Sequence, residues 1–206
     1  DQIYHEHLCY YTLRSLEALF ALHGLEVFDV RLVPVHGGSF EAHVGHIGAH
    51  RIQASVAELR RVELERGYGE FGTYEKFAEN VRRLQRDLLA LLREFADAGK
   101  TVYAYGAPAK GATLLNSFSV DASLVRLAVE RSPLKFGLMI PGARIPIVDE
   151  AAVERPDAYL LLAWNFLDEI LEKERAYLES GGAFIVPVPE LRVLTAADLR
   201  RAAANG

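Results

Sequence analysis

Cysteine, methionine and tryptophan occur once each, as Cys9, Met139 and Trp164. A single cysteine excludes an internal disulfide framework and a four-cysteine zinc site, and such scarcity fits a cytoplasmic chain. No apolar run approaches the ~18–20 residues that span a bilayer, and no charged-then-apolar leader opens the sequence. Cationic excess is lacking too. The 23 Lys and Arg stand against 28 Asp and Glu, a net charge of −5. That disfavours broad attachment to nucleic acid or anionic lipid and leaves an anionic small molecule in need of a local cationic site. No histidine follows position 50, so all seven (5, 7, 23, 36, 43, 46 and 50) crowd the first quarter. No methionine opens the sequence either, and the Asp-Gln-Ile-Tyr-His-Glu-His start leads us to expect a beginning inside a larger protein.

What is present is an ordinary globular composition, half apolar and one quarter charged, and it reads in three parts. In the first, Thr12 caps a helix whose apolar face is Leu13, Leu16, Leu19 and Phe20, and Gly24 stops it. Leu25–Val35, a His36-Gly37-Gly38-Ser39 turn and Phe40–Ile47 alternate with the period of an antiparallel hairpin. Residues 53–72 form a charged connector with glycines at 67, 69 and 72. A helix from Thr73 to about Ala98 then carries Phe77, Val81, Leu84, Leu88, Leu91 and Phe95 as one stripe. That stripe packs on a domain or on a second copy of the chain.

Residues 100–206 alternate strand and helix. Strands are expected at Thr101–Tyr105, Leu124–Glu130, Ala158–Ala163 and Ala183–Pro187. Helices are expected at Ala109–Phe118 and Asn165–Ser180, with a proline-rich loop over 132–149. This alternation specifies a parallel sheet with right-handed crossovers, an α/β Rossmann-like domain. The Gly106–Gly111 segment lies between strand and helix, where backbone N–H groups can meet an anion. It matches neither dinucleotide fingerprint nor P-loop, because Lys110 precedes Gly111, and a tight turn without ligand explains it equally well. Trp164 reads as packing and Asn165 as a helix cap that also stands near a strand's carboxyl end. The His5-x-His7 pair could offer two nitrogens to one metal from a strand, or serve only in loop packing.

Several segments together resemble one family across nearly the whole chain. They are Tyr4-His5-Glu6-His7 with Tyr10, His36-Gly37-Gly38-Ser39, Tyr105-Gly106-Ala107-Pro108-Ala109-Lys110-Gly111 with Leu114-Leu115-Asn116, and Pro133, Lys135, Gly137, Pro141-Gly142 with Ile145-Pro146-Ile147. Ala163-Trp164-Asn165 and Phe184-Ile185-Val186-Pro187 complete the set. The set resembles the SAM-dependent C-methyltransferases of nucleotide-linked keto-deoxysugars. The resemblance implies a zinc-binding N-terminal module, a SAM-binding class I Rossmann domain and a Rossmann-like C-terminal domain. Residues 1–66 would then be the tail of the SAM-binding domain, a helix plus an antiparallel hairpin carrying the catalytic motif. Residues 67–99 would be the connecting helix, and 100–206 the substrate domain. Neither a SAM loop nor the zinc ligands are present in this sequence. Two departures stand out: Glu41 replaces an expected Arg, and Glu130-Arg131-Ser132-Pro133 replaces Asp-Arg-Asn-Pro.

Methylating carbon requires a carbon nucleophile, and a C–H beside a ketone supplies one when a base removes its proton. Histidine, with an ordinary pKa of about 6.5, suits that base. By the resemblance His7 is the base, Glu6 orients it or the sugar, and Tyr4 bonds near the keto oxygen. A regular strand would put Tyr4 and Glu6 on the face opposite His7, so the segment must be irregular. His36, Gly38, Gly106, Lys110, Arg131, Lys135 and Asn165 are the implied substrate-binding residues, with no metal in this chain. The expected ligand is a nucleotide-sugar, without nucleic acid or membrane, and with self-association through the 73–98 helix possible. Three other classes compete: a nucleotide-binding module without catalysis, a His-rich metal-binding protein, and a structural or assembly domain that associates through the 73–98 helix.

Overall fold

The computed structural model of the chain describes residues 7–34 and 38–204, with side chains to 201. It divides into two compact units, one within residues 5–81 and the other within 82–206. Tyr4, Glu6 and His36 lie outside the described residues.

The first unit is built on a capped helix and a hairpin. In α1 (Leu13–Ala21) the Thr12 hydroxyl accepts the Ser15 N–H at 3.2 Å, and the Ser15 hydroxyl accepts the Thr12 N–H at 3.0 Å. This reciprocal cap is the one expected of Thr12. β1 (Leu25–Val33) and β2 (Ser39–His46) pair antiparallel from Leu25 opposite His46 to Val33 opposite Ser39, with a bulge between Val27 and Asp29. Leu13, Val27, Val30 and Val56 are buried together, with Phe20, Phe40, Val44 and Leu59 around them.

Val56 and Leu59 come from an element the sequence reading missed. The charged stretch after position 53 is not a connector but a helix, α2 (Ala54–Glu65). Its charges form its outer face, where Arg61 pairs with Glu58 at 2.6 Å one turn back. One carboxylate turns inward: buried Glu63 accepts the N–H groups of Leu13 at 2.6 Å and Arg14 at 3.3 Å. Two orphan amides of α1 are thereby satisfied from outside the helix.

α3 (Phe71–Asp97) begins two residues earlier than expected and ends before Gly99, whose φ is +70°. Its stripe holds in part. Leu88 is fully buried, whereas Phe77 is 55% exposed, and the other fully buried leucine, Leu92, stands beside the expected stripe rather than in it.

The second unit is a six-stranded sheet. Its strands are β3 (Val102–Tyr105), β4 (Ala128–Glu130), β5 (Ile147–Asp149), β6 (Ala158–Leu161), β7 (Ala183–Val186) and β8 (Arg192–Leu194), in the order β5-β4-β3-β6-β7-β8. All neighbours run parallel except β8, which returns antiparallel on β7. The Rossmann-like α/β expectation is met, with both faces of β3, β6 and β7 buried. β5, β8 and the final helix α7 (Ala196–Ala204) were missed; the two strands have three residues each, too few to show a period.

Two boundaries also differ. β4 starts at Ala128 rather than Leu124, because Asp121 binds the Ser123 N–H at 2.9 Å and its hydroxyl at 2.5 Å, folding that stretch into a turn. The helix expected at Asn165–Ser180 is a 3₁₀ turn over Trp164–Phe166, then α5 (Leu167–Lys173) and α6 (Arg175–Glu179). The interruption falls at Glu174, whose side chain is 1% exposed. Asn165 is exposed and caps nothing, since Phe166 precedes α5.

α4 (Ala109–Phe118) matches its expected limits and lies close to β6 through Gly111. A Cβ at Gly111 would stand 2.9 Å from the Leu162 Cβ, so the helix can approach only with glycine there. No helix among the described residues is long and apolar enough to cross a membrane.

Candidate ligand site at the carboxyl ends of the parallel strands

From β3 the chain winds outward through β4 to β5, then returns to β6 on the other side of β3. This reversal leaves a crevice beyond the carboxyl ends of the strands, the place where open α/β sheets take ligands. A cavity of about 330 Å³ lies there. Tyr105 and Gly106 line it from β3, and Val129, Glu130 and Arg131 from β4. Glu150 follows β5, Ala163 and Phe166 follow β6, and Glu169, Ile170 and Lys173 come from α5.

Most of the charges here are already paired. Glu130 closes the strand-to-helix turn on itself. Its Oε2 accepts the Ala107 N–H at 3.2 Å and the Lys135 ammonium at 2.9 Å, and its Oε1 accepts the N–H groups of Arg131 at 2.8 Å and Ser132 at 3.3 Å. Lys135 also reaches the Ala107 carbonyl at 3.1 Å. Burial pushes the Glu130 carboxyl up, but the Lys135 ammonium and these amides outweigh it and hold the pKa below the usual value. The Gly106 N–H goes to the Val129 carbonyl at 2.9 Å. The loop amides expected to meet an anion are thus spent at Gly106 and Ala107. Nothing in the local residue pattern foretells that Glu130 folds back on the turn.

A second network closes the far wall. Glu174 accepts the Tyr105 hydroxyl at 2.9 Å, Lys173 at 2.7 Å and Arg155 at 2.8 Å. Burial raises the Glu174 carboxyl, and Lys173, Tyr105 and Arg155 more than reverse that. Burial pushes the Tyr105 hydroxyl up to about 12. Burial lowers the Lys173 ammonium, but Glu174 and Tyr105 bring it up to about 12. Four carboxylates (Glu130, Glu150, Glu169, Glu174) and four cations (Arg131, Lys135, Arg155, Lys173) therefore line or back the cavity.

Of the residues singled out from sequence, Gly106 and Arg131 line this cavity; Lys110, Lys135 and Asn165 do not. Lys110 places its ammonium 4.7 Å from the centre of the Trp164 ring, and burial lowers its pKa. His7, in the other unit, is partly exposed, with its ring edge-on to Tyr10 at 6.4 Å. Gly38 takes φ +119°, open only to glycine, at the hairpin turn. Glu41, where Arg was expected, pairs with Arg31 at 2.6 Å. Tyr105, Glu150 and Lys173 escaped the sequence reading. Lys173 sits among charged neighbours on a helix and looks like a solvated side chain until the fold brings Tyr105 to it.

Among the described residues, no group of three or more His, Cys, Asp or Glu is placed to hold a metal ion. With the amides of Gly106 and Ala107 occupied, this turn does not fit a SAM-binding loop either.

A mostly parallel sheet with a cavity at the switch point defines a Rossmann-like α/β domain. The chain belongs to the C-methyltransferase C-terminal domain family, which it matches over residues 34–189. It is 43% identical over 199 residues to C-methyltransferase NovU of Streptomyces niveus, an alignment covering 95% of this chain and 47% of that protein. The chain spans about half the length of this curated relative.

Proposed function

We propose that this chain forms the substrate side of a cytoplasmic enzyme that methylates carbon in a nucleotide-linked 4-keto-deoxysugar, with SAM as methyl donor. The observation that carries the reading is the kinship with a C-methyltransferase along nearly the whole chain. The cavity at the strand ends adds support, since it is large enough for part of a sugar nucleotide and offers the Arg131 guanidinium. Residues of this chain do the proton chemistry. The His7 imidazole takes the proton from the carbon beside the ketone, and the C–H electron pair moves into the enolate. Glu6 orients the base or the sugar, and Tyr4 donates a hydrogen bond near the keto oxygen. Gly106 and Arg131 meet the ligand in the cavity, with His36, Gly38, Lys110, Lys135 and Asn165 as further contacts or supports. No residue described here is assigned to the donor. Self-association runs through the 73–98 helix.

His7→Ala, assayed with SAM and a dTDP-4-keto-deoxysugar, should abolish methyl transfer while sugar-nucleotide binding stays measurable by calorimetry. Retained turnover would reject the assignment. A nucleotide-binding module without chemistry is the second reading. For a dinucleotide it is weakened by Glu130, whose carboxylate already holds the Ala107 N–H where a pyrophosphate would approach. Titration with NAD, SAM and dTDP-sugars separates the two readings.

A further inference from the structure

Glu150 is the one member of the far-wall network that is poorly held. Its Oε2 lies 3.4 Å from the Lys173 ammonium, whereas Lys173 contacts Glu174 at 2.7 Å and the Tyr105 hydroxyl at 2.8 Å. Its Oε1 is buried and accepts no hydrogen bond from the described residues, and the Arg155 Nη2 is 3.9 Å away. This carboxylate therefore stands between two cations and fully engages neither. A buried unpaired oxygen is costly, so a second position is favoured if it pairs that oxygen. A movement of roughly 1 Å toward Arg155 would do so, because charge-assisted N–H···O bonds close at about 2.7–2.9 Å.

Lys173 has the complementary property. It lines the cavity, its side chain is 38% exposed, and two of its three protons are fixed by Glu174 and Tyr105. The third proton points to the weakest acceptor. The remaining cations differ in this respect. Lys135 is tied to Glu130 and the Ala107 carbonyl, and Lys110 lies over Trp164.

We propose that Lys173 is the anion-binding residue of this cavity, and that a phosphate or diphosphate oxygen of the ligand takes its third proton in exchange for Glu150, which turns to Arg155. The exchange leaves every charge paired and removes the orphaned oxygen. It builds on the reading of the cavity as a nucleotide-sugar site and names the residue that meets the phosphate. Arg131, on the same cavity, makes no side-chain hydrogen bond or ion pair with the described residues and supplies a second contact.

The test is calorimetric titration of the chain with inorganic pyrophosphate. Lys173→Met should weaken binding by about tenfold, the loss of one charge-assisted hydrogen bond. Lys173→Arg should stay within a few-fold of wild type. Glu150→Gln should tighten binding several-fold, because it removes the competing negative charge. That gain has the opposite sign from any effect of damaged folding. Near-UV circular dichroism checks that each variant keeps its packed tyrosines. No pyrophosphate binding by the wild type, unchanged binding in Lys173→Met, or unchanged or weaker binding in Glu150→Gln would overturn the proposal. Thymidine diphosphate titrated in parallel tests the underlying reading separately. If it binds no tighter than pyrophosphate while the variants behave as expected, the nucleotide reading falls and the anion site stands. If it binds well but neither substitution shifts it, the reverse holds.

Discussion

Glu174 is the deepest charge described in the second unit, and its removal has a calculable cost. Its side chain is 1% exposed, and it accepts from Tyr105, Lys173 and Arg155, all within 2.9 Å. Glu174→Ala leaves two cations and a phenol facing an empty acceptor site. Removing one partner of a fully buried ion pair costs about 3–5 kcal/mol. Here Lys173 and Arg155 are 38% and 49% exposed, so water can recover part of their solvation. The lower end applies, about 3 kcal/mol at pH 7, or roughly 6–12 °C in Tm for a chain of this size. The pH dependence follows from the depressed Glu174 pKa. The contribution is complete above the ordinary glutamate value of 4.5 and disappears as pH falls through the lower folded value. The gap between wild type and variant should therefore be full at pH 7 and close in more acid solution. Thermal unfolding followed by near-UV circular dichroism reads it through Tyr105, Tyr159 and Tyr177, which pack together around Phe184. A loss below about 1 kcal/mol at pH 7, the scale of an exposed pair, would refute the argument that burial makes this carboxylate matter.

Three further substitutions probe the fold and the site's surroundings. Glu63→Ala should destabilise the first unit by about 1–3 kcal/mol and speed hydrogen exchange at the Leu13 and Arg14 amides, which would show no change if Glu63 were only a surface charge. Gly111→Ala should cost about 1–3 kcal/mol in chemical denaturation, because the new Cβ meets Leu162 at 2.9 Å; a neutral result would mean that α4 can move outward freely. Lys110→Ala should cost about 0.5–1 kcal/mol and change the emission of Trp164, the chain's single tryptophan, whereas unaltered emission would remove the ammonium from the ring face.

The identity of the family was readable before any coordinates, because short motifs such as Tyr105–Gly111 and Phe184–Pro187 depend on residue type and order alone. So were the Thr12 cap, the hairpin and α4, where local hydrogen bonding and period decide the outcome. Other features were out of reach for identifiable reasons. The charged face of α2 looks like a connector when its inward side is only Val56, Leu59 and Glu63. Three-residue strands have no period to detect.

The cavity could not be read from the chain because its walls are distant in sequence. Tyr105 meets Lys173 and Glu174 across 68 and 69 residues, and Ala107 meets Glu130 across 23. What the sequence determined alone is the elements with a clear cap or period, such as α1, the hairpin and α4, and the chemistry available in them, since propensity, capping and motif act over a few residues. Which lysines stay available and which are consumed was decided only by the tertiary structure. Lys135 is captured by Glu130 and Lys110 covers Trp164, while Lys173, unremarked in the sequence, comes to line the cavity. Pairing of charges depends on distances in space, and parallel strands bring together residues that the chain keeps far apart.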